Sequence, residues 1–190
     1  FSYKMRPNLS KLILLLFFVA YSLQATAEQW KSRTIYQVLT DRYAKNDGST
    51  SDCSNLGNYC GGGYIGLMKH LDYIQEMGFD AIWISPIIDN YDGGYHGYWG
   101  RNIYQLNQHF GTEQDFINLV NACHSKGIWV MVDVVANHMG NTNQVYTSNN
   151  PFNSSDHYHD YCVISDQDFA TKNQNRIENC RLAGLADLKQ

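Results

Sequence analysis

The stretch Ile128-Trp-Val-Met-Val-Asp-Val-Val135 constrains the fold more than any other part of the sequence. It is apolar with one interruption, the pattern of a parallel β-strand that is covered on both faces. Gly127, a residue type that commonly ends helices, stands directly before it, and the polar pair Asn137-His138 follows shortly after. We therefore predict a buried parallel strand with polar side chains at its carboxyl end.

Two similar strands are predicted earlier in the chain. Thr34–Leu39 and Ala81–Ile84 are short runs rich in β-branched and aromatic residues, and Pro86 stops the second run. The centres of the three strands are separated by roughly one β-α unit with an enlarged loop.

Helices are predicted between these strands. Apolar residues recur at helical spacing within Leu67–Ile74, and Gly78 stands where a helix would end. Thr112 with Asp115 resembles a capping box, which opens a helix through about Ser125.

Strands that alternate with helices predict an α/β fold with a parallel sheet. A (β/α)8 barrel and a doubly wound sheet both satisfy this pattern. Neither a GxGxxG nor a P-loop pattern follows any predicted strand, which removes the usual nucleotide signature of the doubly wound class. Periodicity alone leaves the choice between the two folds open.

The amino terminus has the pattern of a secretory signal peptide, predicted for residues 1–27. Three basic residues precede the apolar run Leu12–Ala20, and the small residues Ala25-Thr26-Ala27 follow as a cleavage site. Nine apolar residues are too few for a membrane span, which needs about 20. We therefore expect a secreted, extracellular protein without a membrane anchor.

Charge and composition narrow the class of partner. The chain has a net charge of -4, and removal of the predicted signal peptide would make the remainder more acidic. No block of basic residues remains to follow phosphates, so a nucleic-acid partner is not expected. Many of the 14 Tyr and 4 Trp residues lie beside Gly, Asn and Asp, which indicates an aromatic-lined site for an uncharged ligand.

The five cysteines all follow the predicted signal peptide. Two local pairings suggest themselves, Cys53–Cys60 and Cys162–Cys180, because each would close a short polar loop in an oxidising compartment. Cys123 lies on the apolar face of a predicted helix, so we expect a buried thiol that packs as a small hydrophobic side chain.

Polar residues at the ends of the predicted strands are candidates for a site, since active sites of parallel α/β folds gather there. Asp133, Asn137 and His138 follow the third strand, although an Asn-His turn with a capping role would give the same pattern. Tyr91–Trp99 follows the second strand and is rich in Tyr and Gly. Aromatic faces stack on sugar rings, but some of these rings, with Tyr91 and Tyr95 as candidates, would instead support the loop.

Composition changes after His138. Residues 139–184 are rich in Asn, Ser, Thr and Asp and have no long apolar period, so they form either an irregular inserted subdomain or a disordered tail. The cysteine pair and the aromatic residues favour the subdomain. Asn153-Ser154-Ser155 is an N-glycosylation acceptor.

Four motifs carry a family resemblance. They are Thr34-Ile-Tyr-Gln-Val-Leu-Thr-Asp-Arg-Tyr43, Tyr95-His-Gly-Tyr-Trp99, Asp133-Val-Val-Ala-Asn-His138 and Leu185-Ala-Asp-Leu188. In order and spacing they resemble the α-amylases of glycoside hydrolase family 13, and the fungal-type enzymes most, which share the Cys-rich loop before the first helix. The resemblance runs from about Gln29 to Gln190.

The resemblance implies the amino-terminal part of a (β/α)8 barrel. The first three β-α units would occupy residues 28–138, and an inserted domain B would occupy residues 139–188. The rest of the barrel and any carboxyl-terminal domain would be absent from this chain.

The resemblance also implies a structural Ca²⁺. The family's ligands match the Asn137 amide, the Glu178 backbone carbonyl and the Asp187 carboxylate, while Ala186 stands where the fungal pattern usually has Pro. A zinc site at His157 and His159 is disfavoured, because a His-x-His pair without further spaced ligands is a weak signal.

The implied substrate-binding residues are four. Tyr98 and His138 match positions that hold the sugar at the cleavage subsite, with His96 and Trp99 nearby. Asp133 matches a residue that supports the site through hydrogen bonding.

Retaining glycosidases need two carboxyl groups about 5–5.5 Å apart. The family places its nucleophile, its acid and a stabilising Asp on strands four, five and seven, and Gln190 would precede strand four. We therefore expect no catalytic carboxylate in this fragment, and expect it to be aggregation-prone and inactive on starch.

The resemblance implies that the intact enzyme cleaves internal α-1,4-glucosidic bonds of starch and maltooligosaccharides with retention, as a monomer. Two alternatives stay open. One is another family member, such as an α-glucosidase or a cyclodextrin-acting enzyme, and the other is a non-catalytic carbohydrate-binding relative.

Overall fold

The structure is a computed structural model that describes residues 25–189. The predicted signal peptide lies almost wholly outside these residues. A short helix at Ala27–Lys31, capped by Thr26, belongs to a compact unit that ends at Arg33. A second compact unit begins at Thr34. Across the described residues, no helix has both the length and the apolar character that crossing a membrane requires.

The second unit alternates strands with helices, followed by short irregular elements. The strands are β1 (Ile35–Val38), β2 (Ala81–Ile84), β3 (Ile88–Asn90), β4 (Gly100–Leu106), β5 (Trp129–Val132), β6 (His138–Met139) and β7 (Ala186–Asp187). Counting Ala27–Lys31 as α1, the α-helices are α1, α2 (Thr40–Tyr43), α3 (Tyr64–Lys69), α4 (Leu71–Glu76), α5 (Glu113–Ser125), α6 (Asp166–Ala170) and α7 (Gln174–Asn179).

The three predicted strands form one parallel sheet in the order β1-β2-β5. Tyr36 lies opposite Ile82, and Ile82 lies opposite Val130. This confirms the predicted parallel α/β arrangement. A (β/α)8 barrel and one half of a doubly wound sheet both contain sequential parallel strands of this kind, so strand order does not separate the two folds.

Helices α3, α4 and α5 cover one face of this sheet. Their buried apolar side chains meet alternate residues of the strands, because successive strand residues point to opposite faces. The buried members of this core are Val38, Tyr64, Leu67, Leu71, Ile74, Ile82, Ile84, Phe110, Leu119, Cys123 and Ile128.

Strand β5 differs from its prediction. All four of its residues are half-buried, whereas the apolar run predicted a strand covered on both faces. The physical reason is its place at the edge of the three-stranded sheet, where no strand of the described residues pairs with its outer side.

The predicted helices are found with one interruption. Thr112 and Asp115 form the predicted capping box at the start of α5, and Gly127 follows its end with φ +71°. The first predicted helix is divided into α3 and α4 at His70, whose carbonyl accepts a hydrogen bond from the Tyr43 hydroxyl at 3.3 Å.

The antiparallel pair β3–β4 was not predicted. It places the aromatic segment between two strands, as the loop of a hairpin. The adjacent β-branched and aromatic residues Ile103 and Tyr104, which are types enriched in strands, are the signal that could have found β4.

Residues after His138 build a second, smaller core. Met139, Tyr158, Ala186 and Leu188 are buried together, with β6 paired to β7. These residues are therefore packed rather than tail-like, while their assignment to an inserted domain B stays a prediction.

Candidate active site

The candidate site lies at the carboxyl ends of the parallel strands. A cavity of about 340 Å³ opens there, and it is lined by residues that follow β1, β2 and β5. Leu39, Ser85 and Asp133 come from these three ends, and Tyr98 reaches the cavity from the hairpin. Four segments that are distant in the chain therefore meet at the edge of the sheet where α/β enzymes place their sites.

The loop 91–99 is held in a fixed shape by its own backbone and by Asn90. The Asn90 Oδ1 atom accepts from the Trp99 N–H at 2.7 Å, and the Tyr91 N–H donates to the Trp99 carbonyl at 2.9 Å. Gly97 has φ +86°, and a Cβ there would lie 2.6 Å from the Pro86 carbonyl oxygen. Only glycine both adopts this positive φ without strain and leaves room for the Pro86 carbonyl at this turn.

Tyr98 and Asp133 form the central hydrogen bond of the site. The Tyr98 hydroxyl donates to Asp133 Oδ2 at 2.8 Å. Burial, followed by this hydrogen bond and the negative charge of Asp133, raises the pKa of Tyr98 to about 12. The hydroxyl therefore stays protonated at neutral pH and acts as a donor, in agreement with the supporting role expected for Asp133.

His138 lies next to this pair. Its Nε2 atom is 3.1 Å from the Tyr98 carbonyl oxygen, which can only accept, so Nε2 carries the proton. Burial lowers the pKa of His138, although the Tyr98 carbonyl and Asp187 oppose the shift. A sugar hydroxyl would have to share this N–H with Tyr98 or replace it.

His96 and Trp99 lie beside Tyr98 but do not line this cavity, and Trp99 lines a neighbouring one with Gly140. The His96 Nδ1 atom accepts from the Tyr98 N–H at 3.0 Å, and the His96 ring meets the Trp99 ring edge-on at 4.9 Å. Burial, with a smaller contribution from Arg42, lowers the pKa of His96. Trp99 keeps 36% of its surface exposed, so its ring is available to a ligand.

Asn137 and Asp187 are brought together by the pairing of β6 with β7. The Asn137 Nδ2 atom lies 3.4 Å from Asp187 Oδ1, and the Leu188 N–H donates to the Asn137 carbonyl at 2.9 Å. The Asp187 side chain is buried, and His159 Nδ1 is 2.6 Å from its Oδ2 atom. An amide and a buried carboxylate are oxygen donors of the kind that Ca²⁺ takes.

Glu178 lies in the last turn of α7, where helix carbonyls lack intrahelical partners, while its side chain is exposed. The donor types at these three positions therefore fit the expected calcium ligands. Within residues 25–189, no three His, Cys, Asp or Glu side chains gather as a metal site.

Sequence reasoning missed the contacts of two charged or titratable residues. It considered His159 only for zinc, whereas this residue holds the Asp187 carboxylate. It assigned no role to Arg42, whose guanidinium carbon lies 3.8 Å from the centre of the Tyr95 ring. Neither residue has a sequence signal beyond its place in or near a motif, because the Tyr95 ring that meets Arg42 and the Asp187 carboxylate that meets His159 are distant in the chain.

Tyr91 and Tyr95 make the structural contacts that were expected of them. The Tyr91 hydroxyl donates to Asn149 Oδ1 at 2.7 Å, which ties the loop 91–99 to the segment after His138. Tyr95 lies under Arg42.

Both predicted disulfides are present. Cys53 pairs with Cys60 and Cys162 pairs with Cys180, with Cα atoms 5.3 and 4.9 Å apart. Cys123 is a buried free thiol, as predicted, and burial raises its pKa to about 12. Asn153, the predicted glycosylation acceptor, is exposed.

Comparison with known proteins identifies the family. The model of the α-amylase catalytic domain matches residues 37–181. An α-amylase of Saccharomycopsis fibuligera is 41% identical over 178 residues, which cover 87% of this chain and 36% of that protein. The chain belongs to the α-amylase family of glycoside hydrolases.

Solved structures agree with this assignment. An α-amylase from Malbranchea cinnamomea superposes with a TM-score of 0.77 at 45% identity, over 87% of this chain and 37% of that one. The α-amylase of Geobacillus thermoleovorans, solved with acarbose, gives 0.73 at 38% identity, over 85% and 34% of the two chains. The fold is thus that of the α-amylase catalytic domain, and the chain spans about a third of the length of these relatives.

Proposed function

We propose that the whole protein hydrolyses internal α-1,4-glucosidic bonds of starch and maltooligosaccharides, with retention of configuration. The observation that carries the proposal is the convergence of Tyr98, Asp133 and His138 at the carboxyl end of the parallel sheet. Family membership supplies the reaction class, and all three named relatives, which match this chain over more than four fifths of its length, carry the name α-amylase.

In this proposal the described residues bind and orient the sugar. Trp99 offers an exposed aromatic face, which stacks on the C–H surface of a sugar ring. The Nε2–H of His138, which the Tyr98 carbonyl already accepts, is the donor that a sugar hydroxyl would share, while the Tyr98 hydroxyl donates its proton to Asp133 and can accept from a sugar hydroxyl. These bonds fix the directions of both groups before substrate arrives. Preorganised donors of this kind stabilise a transition state without reorganising during the reaction. Under this proposal the bond-breaking carboxylates lie in the remaining part of the barrel.

The same proposal includes a structural calcium ion. Asn137, the Glu178 carbonyl and Asp187 would hold it, and bound Ca²⁺ supplies positive charge that braces residues 139–188, proposed as domain B, against the barrel segment 28–138. His159 Nδ1 contacts the Oδ2 atom of Asp187, whereas Asn137 faces its Oδ1 atom. The pairing of β6 with β7, which brings the oxygen-bearing side chains of Asn137 and Asp187 together, supports this assignment, because carboxylate and amide oxygens are ligands that Ca²⁺ takes.

We further propose secretion through the signal peptide of residues 1–27 and glycosylation at the exposed Asn153. Two disulfides within residues 25–189 support an oxidising compartment.

The test is reducing-sugar release from soluble starch by the full-length protein, with His138→Ala as the variant. Loss of a preorganised donor predicts a fall in kcat of roughly 100-fold. His124→Ala removes an exposed imidazole on the outer helix α5 and is the matched control. Wild-type activity that His138→Ala leaves unchanged would refute the subsite assignment.

A chelator tests the calcium proposal separately. We expect the melting temperature to fall when the ion is removed and to recover when Ca²⁺ is returned, since a ligand that binds only the folded state stabilises it. A melting temperature that ignores both treatments would contradict the calcium site. Product analysis separates endo-cleavage, which gives mixed oligosaccharides, from the release of glucose alone.

A further inference from the structure

Arg42 makes contacts in two directions. Its guanidinium stacks on the Tyr95 ring at 3.8 Å from the centroid, and Tyr95 precedes His96 in the loop 91–99. The Tyr95 and His96 rings are themselves 5.0 Å apart. Arg42 is thus one ring removed from a residue of the proposed substrate site.

The N–H groups of Arg42 face the other way, toward the loop closed by Cys53–Cys60. One terminal nitrogen donates to the carbonyl oxygens of Leu56 and Asn58, both at 2.8 Å. These carbonyls lie inside the disulfide loop, so the guanidinium bonds to backbone whose conformation the bridge restricts.

A buried carboxylate fixes the orientation of the guanidinium. The Arg42 Nε atom donates to Asp41 Oδ2 at 2.8 Å, and the Asp41 side chain has no exposed surface. Asp41 in turn accepts from the Cys60 N–H at 2.8 and 3.0 Å. The plane of the guanidinium is therefore determined by three acceptors, and Tyr95 packs against that plane.

We propose that Arg42 is a positioning residue, which transmits the rigidity of the Cys53–Cys60 loop to the aromatic loop 91–99 and thereby fixes His96 and Trp99 for sugar binding. This inference deepens the proposed function and rests on it. Lysine cannot replace arginine here, because an ammonium group lacks the planar fork that bonds carbonyls along its edge while stacking on a ring. The positive charge of Arg42 also contributes to the lowered pKa of His96, which agrees with their proximity.

Two measurements on the full-length protein test the proposal. In Arg42→Lys, hydrogen–deuterium exchange of amides in residues 91–99 should rise at least ten-fold, while exchange in α5 stays unchanged. On a soluble maltooligosaccharide, kcat/KM should fall about 10- to 100-fold, the range that a misplacement near 1 Å produces.

Two controls separate positioning from general destabilisation. Arg101→Lys changes an arginine of the hairpin itself, which bonds Asp89 and stacks at 5.9 Å on Tyr91 rather than on Tyr95. This variant should keep the wild-type kcat/KM. Ile128→Val deletes a methyl group in the core at the amino end of β5, which should lower the melting temperature but leave loop exchange and kcat/KM unchanged.

A double-mutant cycle tests whether Arg42 acts on the loop 91–99 through Tyr95. If Arg42 acts through Tyr95, combining Arg42→Lys with Tyr95→Leu should cost no more than the larger single effect. The inference is overturned if the wild-type protein is active and Arg42→Lys changes neither the exchange of residues 91–99 nor kcat/KM. It is also overturned if the effects of Arg42→Lys and Tyr95→Leu are strictly additive. Inactive wild-type protein instead refutes the proposed function, and the exchange measurement then decides the structural claim alone.

Discussion

Asp133 and Tyr98 are 35 positions apart in the chain, yet their hydrogen bond links the end of β5 to the hairpin loop. It joins a carboxylate to a hydroxyl whose proton is retained at neutral pH. At the scale of single residues, this bond connects the parallel sheet to the aromatic part of the site.

Replacing Tyr98 by Phe removes this bond and little else. We expect a loss of unfolding free energy of about 1 kcal/mol, below the roughly 1.5–3 kcal/mol of a hydrogen bond to a charged group, because solvent reaches the pair. In activity, kcat/KM should fall as well. Urea denaturation and steady-state kinetics measure the two effects. Tyr104→Phe is the matched control, because that ring is 72% exposed on the same hairpin and its loss of a hydroxyl should change neither quantity.

His96 should titrate below its ordinary pKa near 6.5, because burial and the Arg42 charge both disfavour the imidazolium. In the folded state the ring then stays neutral at pH 7. As pH falls below about 6.5, the unfolded state takes up protons first, so the contribution of neutral His96 to stability is lost on acidification. An NMR titration of the His96 ring checks the direction, and Arg42→Ala should move its pKa upward. A pKa at or above 6.5 in the wild type would contradict this account.

At the scale of elements, the backbone at Gly140, directly after β6, lies against the backbone at the start of β4. The Gly140 N–H donates to the Gly100 carbonyl at 2.7 Å. A Cβ at Gly140 would lie 2.3 Å from the Trp99 carbonyl carbon, which is backbone and cannot rotate away. The absence of a side chain at Gly140 therefore sets how near the segment after His138 lies to the hairpin.

Gly140→Ala should consequently force β6 and the hairpin apart. We expect destabilisation of about 1–3 kcal/mol, the usual cost of overpacking, together with weaker sugar binding because Trp99 moves. Chemical denaturation and KM measure these effects. Gly57→Ala adds the same methyl group where the nearest atom is a side-chain oxygen at 3.3 Å, and it should be nearly neutral.

At the scale of the whole molecule, the two disulfides close loops of different length. Cys162–Cys180 spans 18 positions and Cys53–Cys60 spans 7. In the chain-entropy model their removal costs about 3 and about 2.5 kcal/mol, because a longer loop restricts the unfolded chain more.

The double variant Cys162→Ser/Cys180→Ser should therefore unfold at a lower denaturant concentration than Cys53→Ser/Cys60→Ser. For the same loss of unfolding free energy, Cys53→Ser/Cys60→Ser should nevertheless lose more activity, because the Leu56 and Asn58 carbonyls that bond Arg42 lie in its loop. Cys123→Ala controls for loss of a thiol without loss of a bridge. The reverse order of midpoints would show that native-state contacts, rather than loop length, dominate.

The local structure was determined largely by sequence. The three parallel strands, the capping box at Thr112, the turn at Gly127 and the disulfide pairs follow from patterns within a few residues. Such features depend on side-chain period, capping chemistry and loop closure, which act over short stretches of chain. The aromatic motif and the Asp133–His138 segment likewise predicted a site at the carboxyl end of the sheet, where Tyr98, Asp133 and His138 are neighbours.

Only the tertiary structure decided which side chains meet. The interruption at His70, the β3–β4 hairpin, and the partners of Arg42 and His159 depend on groups far along the chain. The order of the three strands fits both a barrel and a doubly wound sheet, and the match to solved α-amylases decided between these two folds. The physical reason is that periodicity fixes the face a residue presents, whereas the opposing surface is fixed by packing over the whole domain.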